Sequence, residues 1–146
     1  MMQIPSEKDW AGYERDIDAR YAHKIFFGKS NEQMQSAFRD NVIEKTDEIR
    51  FMPTSAFQYY VFGLRDFVIR RQFVDYESSD AANCFLGLVL EKLRKEPHTI
   101  VPVIDQLLPD LEYVARNQDL YEADKDIYGD FMETFEEILR LSGNQA

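Results

Sequence analysis

The sequence predicts a protein built only of α-helices, which pack as a single domain over residues 1–146. Apolar residues recur at steps of three and four along the chain, which is the period of an α-helix and not the alternation of a strand. A hydrophobic content of 45%, with 11 Phe, 8 Tyr and one Trp, indicates a folded chain with a core. The length of 146 residues is typical of one domain.

The first predicted helix begins at Ser6 and ends near Gly28. Ser6 and Asp9 resemble a capping box, in which two side chains bind backbone N–H groups at the start of a helix. Glycine often follows the end of a helix because it adopts positive φ angles without strain. Four large apolar residues then share one helical face: Trp10, Tyr13, Ile17 and Tyr21.

The next two predicted elements lead up to Pro53. Ser30 or Asn31 can cap a second helix, on which three apolar residues recur at four-residue steps, Met34, Phe38 and Val42. A short segment from Asp47 to Met52 follows. Pro53 must end or redirect this segment because proline lacks a backbone N–H.

A long helix over about residues 54–73 is predicted to be the centre of the fold. It starts at Thr54 or Ser55, and large apolar side chains occur on nearly all of its sides. A helix that is apolar all round is usually buried among other helices. Short connections join the remaining helices to it, so the sequence predicts one orthogonal bundle of six or seven helices around this central helix.

Two further helices are predicted after the central one. Ser79 or Asp80 can cap the first of them, and Pro97 closes it. Thr99 can cap the second, in which Pro109 should kink or restart the helix because proline removes one internal hydrogen bond.

The last predicted helix runs from Asp119 to Leu141 and carries an acidic face. At about 100° per residue, six carboxylates fall within an arc of about 80°, while the apolar residues face the core. Like charges four residues apart destabilise a helix, so this arrangement favours a surface that binds a basic partner, although a plain solvated face would also produce it. The predicted partner-binding residues are Asp119, Glu122, Asp126, Asp130, Glu133 and Glu137.

The charge of the whole chain restricts its partners. There are 27 acidic and 17 basic residues, and residues 105–146 hold 11 of the acidic ones against three basic ones. A negative surface repels phosphates, so no nucleic-acid partner is expected. The longest run without an ionisable residue has 14 residues, whereas a membrane-spanning helix needs about 20. With no signal peptide and one cysteine, we expect a cytoplasmic protein that does not contact the membrane.

No motif predicts a catalytic residue, a metal site or a cofactor. Tyr128 and Phe135 occupy the positions of a partial calcium-loop pattern that require oxygen ligands. Cys84 lies in an apolar stretch, without a neighbouring base to form the thiolate. His23 and His98 lack the spacing of zinc or di-iron ligands.

Residues 49–60 carry a resemblance to a known kind of protein. An apolar residue and Pro53 are followed by Phe57, Tyr59 and Tyr60 at the start of the central helix. This pattern resembles small bacterial helical proteins, some of which are immunity proteins of polymorphic toxin systems. The resemblance covers about 20 residues and implies packing roles for Phe57 and Tyr60, with no functional residue carried over.

Three functions remain open from the sequence. The leading hypothesis is a non-enzymatic protein-binding module of the immunity-protein type, whose acidic helix occludes a basic site on a toxin. A second is a small enzyme or metal-binding protein with a site assembled from distant carboxylates and one or both histidines. A third is an adaptor or regulator that self-associates through the region from Arg65 to Arg71 or through the central helix. The sequence does not determine the oligomeric state.

Overall fold

The fold is described here from a computed structural model, in which residues 2–74 and 76–143 are described. Over these residues the chain contains no strand, and its regular elements are eight α-helices and two 3₁₀ turns. The 3₁₀ turns are Glu7–Trp10 and Tyr13–Arg15. The helices are α1 Ile17–Phe26, α2 Gln35–Asp40, α3 Val42–Arg50, α4 Thr54–Arg70, α5 Ser78–Lys95, α6 Pro97–Arg116, α7 Lys125–Tyr128 and α8 Phe131–Leu141.

The buried apolar residues form one core cluster to which all the long helices contribute. Helix α4 contacts α2, α3, α5 and α6, and ten of its 17 residues are buried. Helix α8 packs against α5 and α6 through one side, where Phe131, Phe135 and Ile138 are buried. The all-helical fold predicted from the period of the apolar residues is therefore confirmed for the described chain.

The first predicted helix is wrong in its amino-terminal part. The Ser6–Asp9 capping box is present, but it heads a 3₁₀ turn. Gly12 follows with a φ of 95°, a conformation that a right-handed helix cannot contain. The α-helix begins only after Asp16, whose side chain accepts a 2.8 Å hydrogen bond from the N–H of Asp18. As a result, the four apolar residues assigned to one face do not share it.

The region between Gly28 and Pro53 is divided differently from the prediction. The chain breaks at Asn41, whose side chain accepts a 3.0 Å hydrogen bond from the N–H of Glu44 and caps α3. Helix α3 then extends to Arg50 and replaces the predicted short segment. The apolar residues of the predicted second helix are nevertheless buried on the two sides of the break: Met34, Phe38 and Val42.

The predicted central, fifth and sixth helices are present with small shifts of their ends. Helix α4 ends at Arg70, because Arg71 adopts a left-handed φ of 55°. Pro97 occupies the first turn of α6, where its missing N–H would have had no partner in any case. Helix α6 also continues through Pro109 to Arg116. None of the helices in the described chain is both long enough and apolar enough to cross a membrane.

Candidate protein-binding surface

The segment between Asp119 and Leu141 is not the single helix that the sequence predicted. A turn over residues 117–122 is followed by the four-residue helix α7 and then by α8. Glu122 has a φ of 56°, and Gly129 has a φ of 78° with a ψ of −178°. Only glycine adopts the second conformation readily, so Gly129 ends α7 and prevents the two helices from joining.

The buried side chain of Gln118 holds this broken segment together. Its Nε2 donates hydrogen bonds to the carbonyl oxygens of Ala123, at 2.9 Å, and Gly129, at 2.8 Å. Its Oε1 accepts a 2.9 Å hydrogen bond from the N–H of Phe131. The side-chain amide of Gln118 therefore forms hydrogen bonds with backbone groups on both sides of α7. In a continuous helix these groups would have formed hydrogen bonds with other backbone groups of the helix. No sequence pattern predicts this role of Gln118.

Two aspartates of the segment act as helix caps. The N–H of Asp126 donates a 2.8 Å hydrogen bond to Asp124 at the start of α7. Asp130 accepts a 2.9 Å hydrogen bond from the N–H of Met132 at the start of α8. The sequence does contain a signal for the second cap, since a glycine precedes Asp130 and Glu133 follows three residues later. The helical period of the apolar residues concealed this signal.

The structure separates the six predicted partner-binding residues into three groups. Asp119 and Asp130 line one surface cleft of about 360 Å³, together with Arg116 and Lys125. Glu122 lies in the left-handed turn and Asp126 in α7. Glu133 and Glu137 lie one turn apart on α8. The predicted arc of six carboxylates on one helix is therefore wrong, because the backbone changes conformation at Glu122 and Gly129.

Only Glu137 among these six has an ion pair with another residue of the described chain. Arg140 donates a 3.0 Å hydrogen bond from Nε to Oε2 of Glu137 and a second from Nη2 to Oε1. These bonds hold the pKa of Glu137 below its usual range. No such pair within residues 2–74 and 76–143 involves the other five: Asp119, Glu122, Asp126, Asp130 and Glu133.

We call residues 119–137 the acidic segment. It contains eight acidic side chains and one basic side chain, Lys125. Six of the eight acidic residues are exposed, and Asp130 and Glu137 are half-buried. Two apolar side chains in the segment are also exposed, Leu120 at 40% and Ile127 at 73%. The segment therefore presents unpaired negative charge together with apolar surface.

The basic residues near the end of α4 are engaged within the chain. Arg65 contacts Asp66 at 2.8 Å and Asp110 at 3.2 Å, and Arg70 pairs with Glu32 at 3.0 Å. The guanidinium of Arg71 lies over a ring of the acidic segment, 5.6 Å from the centroid of Tyr121. Five aromatic side chains of α4 are also buried: Phe57, Tyr59, Tyr60, Phe62 and Phe67. Arg70 and Arg71 are exposed despite these contacts, so self-association through this region stays a prediction.

Of the residues considered for catalysis or metal binding, His23 and Cys84 contact other side chains of the chain, whereas His98 is exposed. His23 contacts Glu7 at 2.8 Å and stacks on Tyr13, with 3.8 Å between the ring centroids. Burial raises the pKa of the Cys84 thiol to about 11, so this thiol is protonated at neutral pH. Within residues 2–74 and 76–143, no group of three or more His, Cys, Asp or Glu could hold a metal ion.

Comparisons with protein-family models, curated proteins and solved structures found no match to this chain.

Proposed function

We propose that this protein is a non-enzymatic binding module that docks on a basic partner protein through the acidic segment. One observation carries the proposal. Seven of the eight carboxylates of the segment, all but Glu137, have no ion pair with another described residue, although the chain holds 17 basic residues. Protein surfaces usually intersperse both signs of charge, so a surface on which most carboxylates lack an ion pair is suited to a partner that supplies basic groups.

The geometry of the segment agrees with the energetics of protein recognition. Its negative field would steer a basic partner and raise the association rate, an effect that salt suppresses. Affinity also requires desolvated apolar anchors. Ile127 and Leu120 supply them at the surface, whereas three of the four aromatic residues of the segment, Tyr121, Phe131 and Phe135, are buried in the core and Tyr128 is half-buried.

The proposal also covers the kind of partner, the location of the protein in the cell and the arrangement of its helices. Residues 49–60 resemble small bacterial helical proteins, some of which are immunity proteins, and on this ground the proposed partner is a toxin whose basic cleft accepts an anionic substrate and is occluded by the carboxylates. A cytoplasmic location and an orthogonal arrangement of the bundle around α4 belong to the same proposal. The negative charge of the segment would repel nucleic acids.

The experiment compares two charge-reversed proteins as baits for capture from the native cell. The test variant carries Asp126→Lys and Glu133→Lys, neither of which is a helix cap. The control variant carries Glu14→Lys and Asp40→Lys, two exposed carboxylates outside the segment that change the net charge equally. We expect the wild type and the control to retain the same basic protein and the test variant to lose it.

The captured partner is then titrated across a salt series. We expect the affinity of the wild type to fall steeply with salt and that of the test variant to be weaker and nearly salt-independent. Equal affinity and equal salt dependence of the two proteins would remove the acidic segment from the mechanism.

A further inference from the structure

A second surface, formed by α1 and α3, combines apolar side chains with an acidic rim. It is a cleft of about 370 Å³ lined by three apolar side chains, Ile17 and Tyr21 from α1 and Phe51 directly after α3. Three exposed carboxylates form its rim, Asp18, Glu44 and Asp47, and the buried Glu48, which pairs with Lys45 at 2.8 Å, also lines it. We call this surface the α1–α3 groove.

Three large apolar residues of the α1–α3 groove are exposed. Ile17 is 70% exposed, Tyr21 49% and Phe51 41%. Ile17 and Tyr21 lie one helical turn apart, so the two side chains share the face of α1 that lines the groove. A contiguous apolar patch with a polar rim is typical of a surface that another molecule covers. Scattered single exposed residues would need no such explanation.

The charges around the α1–α3 groove determine the chemistry of that molecule. The side chains of Glu44 and Asp47 are more than half exposed, at 53% and 56%. Their basic partners lie deeper, since the side chain of Lys45 is 10% exposed and that of Arg50 is 28% exposed. Asp18 has no ion pair within the described chain. The rim therefore presents carboxylate oxygens outward and keeps the cations beneath them.

We propose that the α1–α3 groove binds a segment of another protein that carries large apolar side chains flanked by Lys or Arg. The apolar side chains of the groove accommodate the large apolar side chains of the bound segment, and the carboxylate rim selects its Lys or Arg residues. A second copy of this chain fits poorly because its net charge is −10 and its rim would repel an identical rim. The same carboxylates would repel an anionic lipid or a nucleic acid. This inference rests on residues outside the acidic segment and is independent of the proposed function.

The probe is the peptide Lys-Lys-Leu-Phe-Lys-Lys with blocked ends, added to the ¹⁵N-labelled protein and followed by NMR. Two peptides serve as controls. Lys-Lys-Ser-Ser-Lys-Lys lacks the apolar side chains of the probe, and Glu-Glu-Leu-Phe-Glu-Glu reverses its charge. We expect the probe to shift the amide signals of the α1–α3 groove, Ile17, Tyr21, Glu44 and Phe51. The serine peptide should perturb the acidic segment alone, and the acidic peptide should perturb neither surface.

Variants then test separately the contribution of the apolar side chains of the groove and that of its carboxylate rim. We expect Ile17→Ser with Phe51→Ser to weaken binding of the probe about tenfold, since burial of one large apolar side chain contributes at least that factor. Ile127→Ser is the matched control, because Ile127 is 73% exposed but lies in the acidic segment. Asp18→Asn with Glu44→Gln should weaken binding several-fold and flatten its salt dependence.

Three results would overturn the inference. The serine or acidic peptide could shift the groove signals as strongly as the probe does. The groove variants could bind the probe as tightly as the wild type, with circular dichroism showing that they are folded. Sedimentation of the protein without peptide could reveal a dimer that Ile17→Ser with Phe51→Ser abolishes, which would assign the groove to a second copy. None of these results depends on the acidic segment.

Discussion

Gly63 lies where α4 passes closest to the chain that precedes α2. A Cβ atom at this position would be 2.8 Å from Cγ of Asn31. Asn31 cannot move away easily, because its Nδ2 donates a 2.9 Å hydrogen bond to the carbonyl of Tyr59 and its N–H donates a 3.0 Å hydrogen bond to the hydroxyl of the same residue. Gln35 adds a 3.0 Å hydrogen bond to the carbonyl of Gly63. The absence of a side chain at Gly63 thus allows this approach.

We therefore expect Gly63→Ala to lower the free energy of unfolding by about 1–3 kcal/mol, as overpacked core substitutions do. Gly87→Ala is the matched control, since Gly87 is also helical but has no atom within 4 Å of the added Cβ. There alanine should raise stability by about 0.5–1 kcal/mol through helix propensity. Urea unfolding measures both; two changes of the same sign would contradict this account.

Glu137 provides a prediction about pH. Hydrogen bonds from Arg140 lower its pKa in the folded protein, so the stability that this pair contributes is present above the unfolded pKa and is lost as the pH falls through the folded pKa. We expect Arg140→Gln to return the pKa of Glu137 toward its ordinary value. A ¹³C carboxyl NMR titration measures this change, and an identical titration curve in the variant would show that the pair does not form in solution.

Among the elements, the central parts of the helices were easier to predict from the sequence than the residues at which the helices begin and end. The apolar period identified α4, α5 and α6 because burial of one face dominates their energetics. The breaks at Gly12, Asn41 and Gly129 depend on left-handed glycines and on caps, each worth about 1 kcal/mol, which a regular apolar period can conceal. Gln118 could not be predicted, since its three partners converge only once the chain is folded.

We expect Gln118→Ala to destabilise the segment around α7 more than any other part of the protein. It would leave the carbonyls of Ala123 and Gly129 and the N–H of Phe131 without their partner, at a cost of about 1–3 kcal/mol. Gln106→Ala, an exposed residue of α6, is the control and should be nearly neutral. Amide hydrogen exchange measures the local effect, and unchanged exchange over residues 119–131 would contradict the role of Gln118.

At the scale of the whole molecule, the sequence predicted the concentration of negative charge but not its geometry. Composition alone located the excess in residues 105–146. The arrangement on a single helix was wrong, since a helical projection assumes that the backbone is helical throughout. The α1–α3 groove was also missed, because the sequence pattern groups Ile17 and Tyr21 with Trp10 on one helical face and only the packed structure reveals their exposure.

Neutralising the unpaired carboxylates should not cost stability. We expect a variant with Asp119→Asn, Glu122→Gln, Asp126→Asn and Glu133→Gln to have a Tm equal to or above that of the wild type, because repulsion is relieved and no ion pair is lost. The gain should shrink in about 1 M salt, where the screening length is about 3 Å. The control neutralises four paired carboxylates, Glu32, Asp47, Glu91 and Asp110, and should lower the Tm. A Tm that falls equally in both proteins would mean that the segment is internally compensated.

The two capping aspartates divide the acidic segment into fixed and adjustable positions. Replacement of Asp124 or Asp130 would release a helix start, so sequence drift at these sites is penalised whatever the partner requires. The carboxylates of Asp119, Glu122, Asp126 and Glu133 cap no helix. If the acidic segment docks on a partner as proposed, altering those four charges would change the partner while the scaffold stays intact, and the same four positions are the ones to diversify in order to redirect recognition.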